Sequence, residues 1–262
     1  AAAAAATTTT TTRGVAARPW ATVLQGVECH ELVGALELEA PQLAQVREVI
    51  SEMEESILRN PDAFMWLRRL KKKDSYTFSH CIDTSILLMA FGRQMGLPRQ
   101  HIHELGLGGL MADIGKMKVP DALLRRDGPL NPAEFEVVKR HVNYSVEIMG
   151  ASRDMAPNAI AIVAAHHERF DGTGYPDKLS AGQIPMHARM AAIVDTFDAV
   201  TSDRAHAKAL APHDAIALLY EQRNKGFQDE LIEQFIQTLG PYPVGTLIEF
   251  DTGEVGIVIE QN

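Results

Sequence analysis

An all-α protein closed by a small β-hairpin is what this sequence predicts, and three observations carry that reading. Apolar residues recur at three- and four-residue spacing through most of the chain. Proline and glycine cut that pattern into helix-length pieces. Only the end changes period: Thr246 to Phe250 and Val255 to Ile259 alternate like strands around Asp251-Thr252-Gly253-Glu254, a hairpin signal.

Residues 1–40 are weakly patterned, opening with six alanines and six threonines, and are read as a low-complexity or regulatory N-terminal tail. Pro41 suits the first turn of a helix, in which Leu43, Val46, Ile50, Met53 and Ile57 share a face until Asn60-Pro61 ends it. That helix has an apolar face for its own domain or for a second copy of the chain, a homodimer. A short helix from Ala63 to Leu70 runs into Lys71-Lys72-Lys73-Asp74, a solvated turn. A long helix follows from Ser75 to Met95, is broken by Gly96-Leu97-Pro98, and gives way to another from Arg99 to Ala112. Asn131-Pro132 opens a helix through Phe135, Val138 and Val142 to Ile148, closed by Gly150. Further helices are predicted at 157–168, 186–201, 212–223 and 229–239. The chain thus divides into the tail, a helical domain at 41–240 and a hairpin at 241–262.

The bulk composition narrows the function. At 262 residues, with 46% hydrophobic and 23% charged, the chain can bury a core without disulfides. A formal charge of −9 argues against a nucleic-acid polymer as partner, which calls for a basic footprint. It leaves room for a small anionic ligand held by local cations or metals. The two cysteines, Cys29 and Cys81, form no CxxC pair, so a zinc-thiolate site is not expected and a reducing cytoplasm is the default. No apolar run reaches the roughly 20 residues that span a bilayer, and the alanine-threonine start lacks the pattern of a signal peptide.

The chemistry-bearing residues fall in a few segments. His166-His167-Glu168 leads into Arg169-Phe170-Asp171-Gly172-Thr173-Gly174-Tyr175-Pro176, a tight loop that brings the Tyr175 ring back beside the histidines. Taken alone, the pair reads equally well as incidental histidines at a turn. In Ala112-Asp113-Ile114-Gly115-Lys116, Asp113 and Lys116 lie three apart and share a side at a helix end. A carboxylate there can bridge two metals, and the ammonium can meet a phosphate. Alone, the segment is also a plain helix C-terminus with a glycine cap. His80 and His141 each sit within helical pattern and, singly, read as ordinary core or surface histidines. Asp195 lies on an apolar helical face, where a carboxylate is costly unless paired or metal-bound.

Together these pieces resemble the HD-GYP family of cyclic di-GMP phosphodiesterases, a branch of the metal-dependent HD phosphohydrolases. The matching order is Tyr76-Thr77-Phe78-Ser79-His80, Ala112-Asp113-Ile114-Gly115-Lys116, His141, the run HHERFDGTGYP at 166–176, and Asp195 ahead of Thr201-Ser202-Asp203-Arg204. It covers residues 41–240. The resemblance implies an HD-type helical bundle and two divalent metals, iron or manganese. It assigns His80, Asp113 and Asp195 to the first metal and His141, His166 and His167 to the second, with Asp113 bridging. It implies that Lys116 contacts the scissile phosphate, that Tyr175 lies beside the dinucleotide, and that Arg204 contacts its phosphate or guanine. The expected reaction is phosphodiester hydrolysis by water activated at the metals. Diguanylate-cyclase-type (GGDEF) proteins are the expected partners.

Three departures stand against that pattern. Ala112 replaces the histidine of the HD doublet, so the first metal loses a ligand and the count falls to one if that site empties. After Arg204 the chain reads Ala205-His206-Ala207 before Lys208, where the family has a Pro, a Tyr and a basic residue. The second cationic contact is thus lost or moved to Lys208. Tyr76 stands where members with a third metal carry a Glu, so no third ion is expected. Two functions follow: a working phosphodiesterase, or a catalytically inactive cyclic di-GMP receptor or protein-interaction module.

Overall fold

The computed structural model describes residues 76–126, 128–150, 155–203, 208–240, 247–249 and 254–257, together with Ser51 and Thr252. The helices expected at 41–57 and 63–70 lie outside these, apart from Ser51, as does Arg204. Nine α-helices run through the described residues: α1 (Tyr76–Gln94), α2 (Arg99–Met111), α3 (Asp121–Leu124), α4 (Pro132–Lys139), α5 (His141–Gly150), α6 (Pro157–Ala165), α7 (Met186–Thr201), α8 (Pro212–Glu221) and α9 (Asp229–Leu239). A 3₁₀ turn at Ile114–Lys118 follows α2, and another at Ala181–Gln183 precedes α7. Two short antiparallel strands, β1 (Leu247–Glu249) and β2 (Val255–Ile257), pair Leu247 with Ile257 and Glu249 with Val255, inside the predicted hairpin runs.

Helix α1 organises the bundle because it is apolar on more than one side, which forces burial all round. One side joins Ile102, Leu110 and Met111 of α2, Met149 of α5 and Val163 of α6. The other places Leu87, Leu88 and Phe91 against Ile193, Val194 and Phe197 of α7, Leu219 of α8 and Phe235 of α9. Phe235 closes this second core, its ring 5.3 Å from Phe91 and 5.4 Å from Phe197. Helix α2 packs on α1, α6 and α7, α7 packs on α1 and α6, and α5 packs on the 3₁₀ turn and on α6.

At the two largest departures of helix boundaries from the sequence pattern, a histidine ring meets a backbone carbonyl. The single helix expected from Asn131 to Ile148 is two, α4 and α5, parted at Arg140. At this break the Val138 carbonyl accepts from the His141 ring (2.7 Å) as well as from the Arg140 N–H. Likewise α6, expected to reach residue 168, stops at Ala165, and His166 turns its ring back on the Val163 carbonyl (2.8 Å). The start of α4 is as expected. Asn131 Oδ1 accepts from the Glu134 N–H and Glu134 accepts in return from Asn131, a capping box with Pro132 in the first turn.

Candidate metal centre

Six side chains from five places in the chain meet in the middle of the bundle. His80 comes from α1, Asp113 from the turn after α2, His141 from the head of α5, His166 and His167 from the end of α6, and Asp195 from α7. They form two groups that share Asp113: Asp113, His141, His166 and His167, and His80, Asp113 and Asp195. Within each group one ligand atom per residue lies within 4.8 Å of the others.

The local backbone explains the convergence. Asp113 is aimed by a turn clamped from outside: the Ser145 hydroxyl donates to the Ala112 carbonyl (2.9 Å) and accepts the Gly115 N–H (2.8 Å). Gly115 is no helix cap, the plain alternative for this segment. It permits close approach, since a Cβ there would lie 2.1 Å from the His141 carbonyl oxygen. Because α6 ends at Ala165, His166 and His167 escape the divergence of about 100° that a helix imposes on neighbours. Their ring centroids are 4.0 Å apart.

Asp113 is 1% exposed and faces both groups. Its Oδ1 lies 3.2 Å from His141 Nε2; its Oδ2 lies 3.4 Å from His80 Nε2 and 2.6 Å from Lys116 Nζ. Burial alone would raise its pKa, but Lys116 and the His141 and His80 rings outweigh that and hold it well below the usual carboxylate range. Asp195 behaves alike: burial opposes ionisation, and His167 (3.6 Å) and His80 (3.0 Å) overcome it. His80 is oriented from behind by Asp198, whose Oδ2 accepts from Nδ1 at 2.8 Å. Burial would lower the His80 pKa, yet hydrogen bonds to Asp195 and Asp198 raise it to about 10. Burial pushes His166 down to about 4, and burial with the neighbouring His166 keeps His167 well below its ordinary value, so both rings are neutral at pH 7.

These residues fit a metal. His141 and His166 each give their Nδ1–H to a backbone carbonyl, which commits the neutral ring to presenting the Nε2 lone pair inward. Both Nε2 atoms, and Asp113 Oδ1, are buried without a hydrogen-bond partner. An imidazole lone pair 3.2 Å from a carboxylate oxygen is repulsive unless the ring takes a second proton or a cation lies between. Four donors surround one position and three the other, the second requiring His80 to give up its Nε2 proton, and imidazoles with carboxylates suit iron, manganese and zinc alike.

A loop over α6 supplies the rest. The buried Glu168 carboxylate accepts the Asp177 (2.7 Å) and Leu179 (3.0 Å) N–H groups, and Asp171 Oδ1 accepts from Thr173 N–H (3.0 Å) and hydroxyl (2.6 Å). Gly174 is required where the loop crosses itself, since a Cβ there would be 2.3 Å from Arg169 N. Tyr175 is thereby laid on His167, ring centroids 4.7 Å apart at 32°. Replacing Glu168 by Gln turns an amide donor toward N–H donors and is expected to cost about 1–3 kcal/mol, read as a lower Tm. An unchanged Tm would show that the loop is held otherwise.

Of the remaining predicted contacts, Lys116 borders the cluster, whereas Lys208 is exposed on the approach to α8. Sequence reasoning missed Asp198, Ser145 and the role of Glu168. Asp198 and Ser145 were open to helical spacing, three residues after Asp195 and four after His141.

A family model described as HD domain matches residues 57–231. The chain is 38% identical over 224 residues to "Cyclic di-GMP phosphodiesterase PA4108" of Pseudomonas aeruginosa, covering 86% of this chain and 54% of that protein. It is 31% identical over 204 residues to "Cyclic di-GMP phosphodiesterase response regulator RpfG" of Xanthomonas campestris pv. campestris, covering 78% and 52%. The chain therefore spans about half the length of these curated relatives. The solved structure of Bd1817, an HDG"Y"P protein from Bdellovibrio bacteriovorus, shares the fold, with a TM-score of 0.71 at 16% identity over 87% of this chain and 74% of that one. With this match and this order of motifs, the chain belongs to the HD domain family, in its HD-GYP group.

Proposed function

We propose that this protein binds cyclic di-GMP and hydrolyses one of its phosphodiester bonds at the histidine and aspartate cluster. The observation that carries the reading is the buried Asp113 shared by two donor groups, with unpartnered ring nitrogens converging on it. The relatives named as cyclic di-GMP phosphodiesterases support the choice of substrate. Asp113, His141, His166 and His167 would hold one divalent ion, and His80, Asp113 and Asp195 a second. When bound, such ions supply Lewis acidity and lower the pKa of water, which suits hydrolysis at phosphorus.

The chain's own groups do the rest. Lys116 stays protonated: burial would lower its pKa, but the Asp113 carboxylate outweighs this. Its ammonium is partly exposed, so a phosphate oxygen can reach it while Asp113 holds it in place. Burial, reinforced by the charges of Asp195 and Asp113, raises the Tyr175 pKa, so the phenol keeps its proton and donates to an anionic ligand. Arg204 and Lys208 complete the reading as cations toward the dinucleotide. The same reading places the protein in the cytoplasm, with GGDEF proteins as the source of the ligand and a homodimer as its assembly. Among the described residues no helix is long and apolar enough to cross a membrane.

A second reading has its own observation. The group around His80 has three donors where the other has four, and the buried Ala112, next to Asp113 in the chain, brings no donor to it. On that reading the protein is a receptor or interaction module that binds the dinucleotide without cleaving it. Turnover decides between them. Protein purified anaerobically and supplied with Mn²⁺ or Fe²⁺ is expected to convert cyclic di-GMP to the linear dinucleotide. Tight binding without product would favour the receptor, and neither binding nor product would end both readings.

A further inference from the structure

We propose that a cleft beside α4 seats a purine base of the cyclic dinucleotide, with Phe135 as its stacking surface and Lys139 and Arg126 as cations toward the sugar-phosphate edge. The proposal rests on the cyclic-dinucleotide reading above for the identity of the ligand. It concerns residues that the metal cluster and its loop leave unused.

The cleft encloses about 730 Å³ and runs from Lys116 along Leu124 and Leu130 to Phe135 and Lys139. That volume lies within the range of about 300–1,000 Å³ for small-molecule sites. One end is anchored at the metal cluster, because Lys116 Nζ is 2.6 Å from Asp113 Oδ2. At the other, Phe135 is 41% exposed on a helix that buries none of its residues, so the hydrophobic core makes no use of this ring. An isolated exposed Phe would call for no explanation. This one belongs to a row: its ring meets Tyr175 edge-on (5.9 Å, 81°), and Tyr175 lies over His167. Lys139 Nζ sits 4.8 Å above the Phe135 ring and 5.4 Å from that of Tyr175.

The charge in the cleft also points to an anion. Among the described residues its lining carries Lys116, Arg126 and Lys139 with the carboxylate of Glu136, on a chain whose formal charge is −9. Lys139 pairs with Glu136 (2.6 Å) and Arg126 with Glu134. Both pairs reach solvent, and such pairs yield readily to a better-placed phosphate. An aromatic face for a base, cations for a phosphate and a continuous path to Lys116 together match one nucleotide unit whose phosphate reaches the metal cluster.

The test is binding of a cyclic dinucleotide carrying 2-aminopurine in place of one guanine, whose fluorescence is quenched when the base stacks on an aromatic ring. Wild-type protein is expected to bind it with quenching. Phe135→Ala is expected to weaken binding about tenfold and relieve the quenching, while Phe135→Trp restores both. Turnover of methyl p-nitrophenyl phosphate, which carries no base, should be the same in all three proteins. Wild-type binding and quenching that Phe135→Ala leaves untouched would overturn the base site and spare the phosphodiesterase reading. Failure of the wild type to bind any cyclic dinucleotide would overturn that reading, and the base site with it.

Discussion

Replacing Asp113 by Asn is expected to lower cyclic di-GMP turnover by about 10³-fold or more and to deplete metal from both donor groups at once. The reason is geometric. One carboxylate oxygen faces His141 and the other faces His80 and Lys116, so a single residue serves both groups. An amide keeps the shape but loses the charge that offsets two cations' repulsion, and its N–H₂ turns a donor toward ring nitrogens. Metal ions supply several kcal/mol of charge stabilisation to phosphoryl chemistry, and about 1.4 kcal/mol is a factor of ten in rate. Metal analysis and turnover on the same anaerobic preparation check this. If the Asp113→Asn protein kept two ions per chain and a comparable rate, Asp113 would not be the shared ligand.

Restoring the doublet with Ala112→His is expected to act in the opposite direction. It adds an imidazole at the residue preceding Asp113, for the three-donor group of His80, Asp113 and Asp195 to use. Groups that merely hydrogen-bond to metal ligands are worth about 10–100-fold in affinity, so a direct ligand should gain at least that much. Ala112 has helical φ/ψ (−53°, −46°), which His accepts, but it is buried at 6% exposure. Fitting a ring there is expected to cost about 1–3 kcal/mol of stability in chelator. The signature is therefore a crossover: Tm below the parent without metal, and a larger rise on adding Mn²⁺. If metal content and the Mn²⁺ response matched the parent, the missing imidazole would not be what limits the site. If turnover appeared only in the variant, the parent would be a receptor.

Much of this was legible before folding. Helices α1, α2, α7 and α9 were readable to within a residue or so because apolar periodicity and Gly/Pro punctuation act locally. The two largest errors of extent, at Arg140 and after Ala165, share one feature. His141 and His166 take backbone carbonyls with their side chains, a local competition that hydrophobic spacing does not register. Gly115 read as well as a helix cap as anything else, because its true constraint is the His141 carbonyl from another helix.

The candidate site divides the same way. The residue types and their order, His80, Asp113, His141, His166-His167 and Asp195, were visible in the linear chain because the loop after His167 has so particular a composition. Singly, His80 and His141 carried no signal. Their neighbours were hidden for a physical reason: Asp198 orients His80 across 118 positions, and Ser145 clamps the Asp113 turn across 33. Hydrogen bonds of that span exist only once α1, α5 and α7 have packed, since burial is what makes an unpaired polar group costly enough to select its partner. Composition and spacing could name the donors. Which oxygen of Asp113 faces which histidine came only from the packing of helices far apart in the chain, and the cleft that opens past Lys116 to Phe135 came from how residues 116–139 fold against one another.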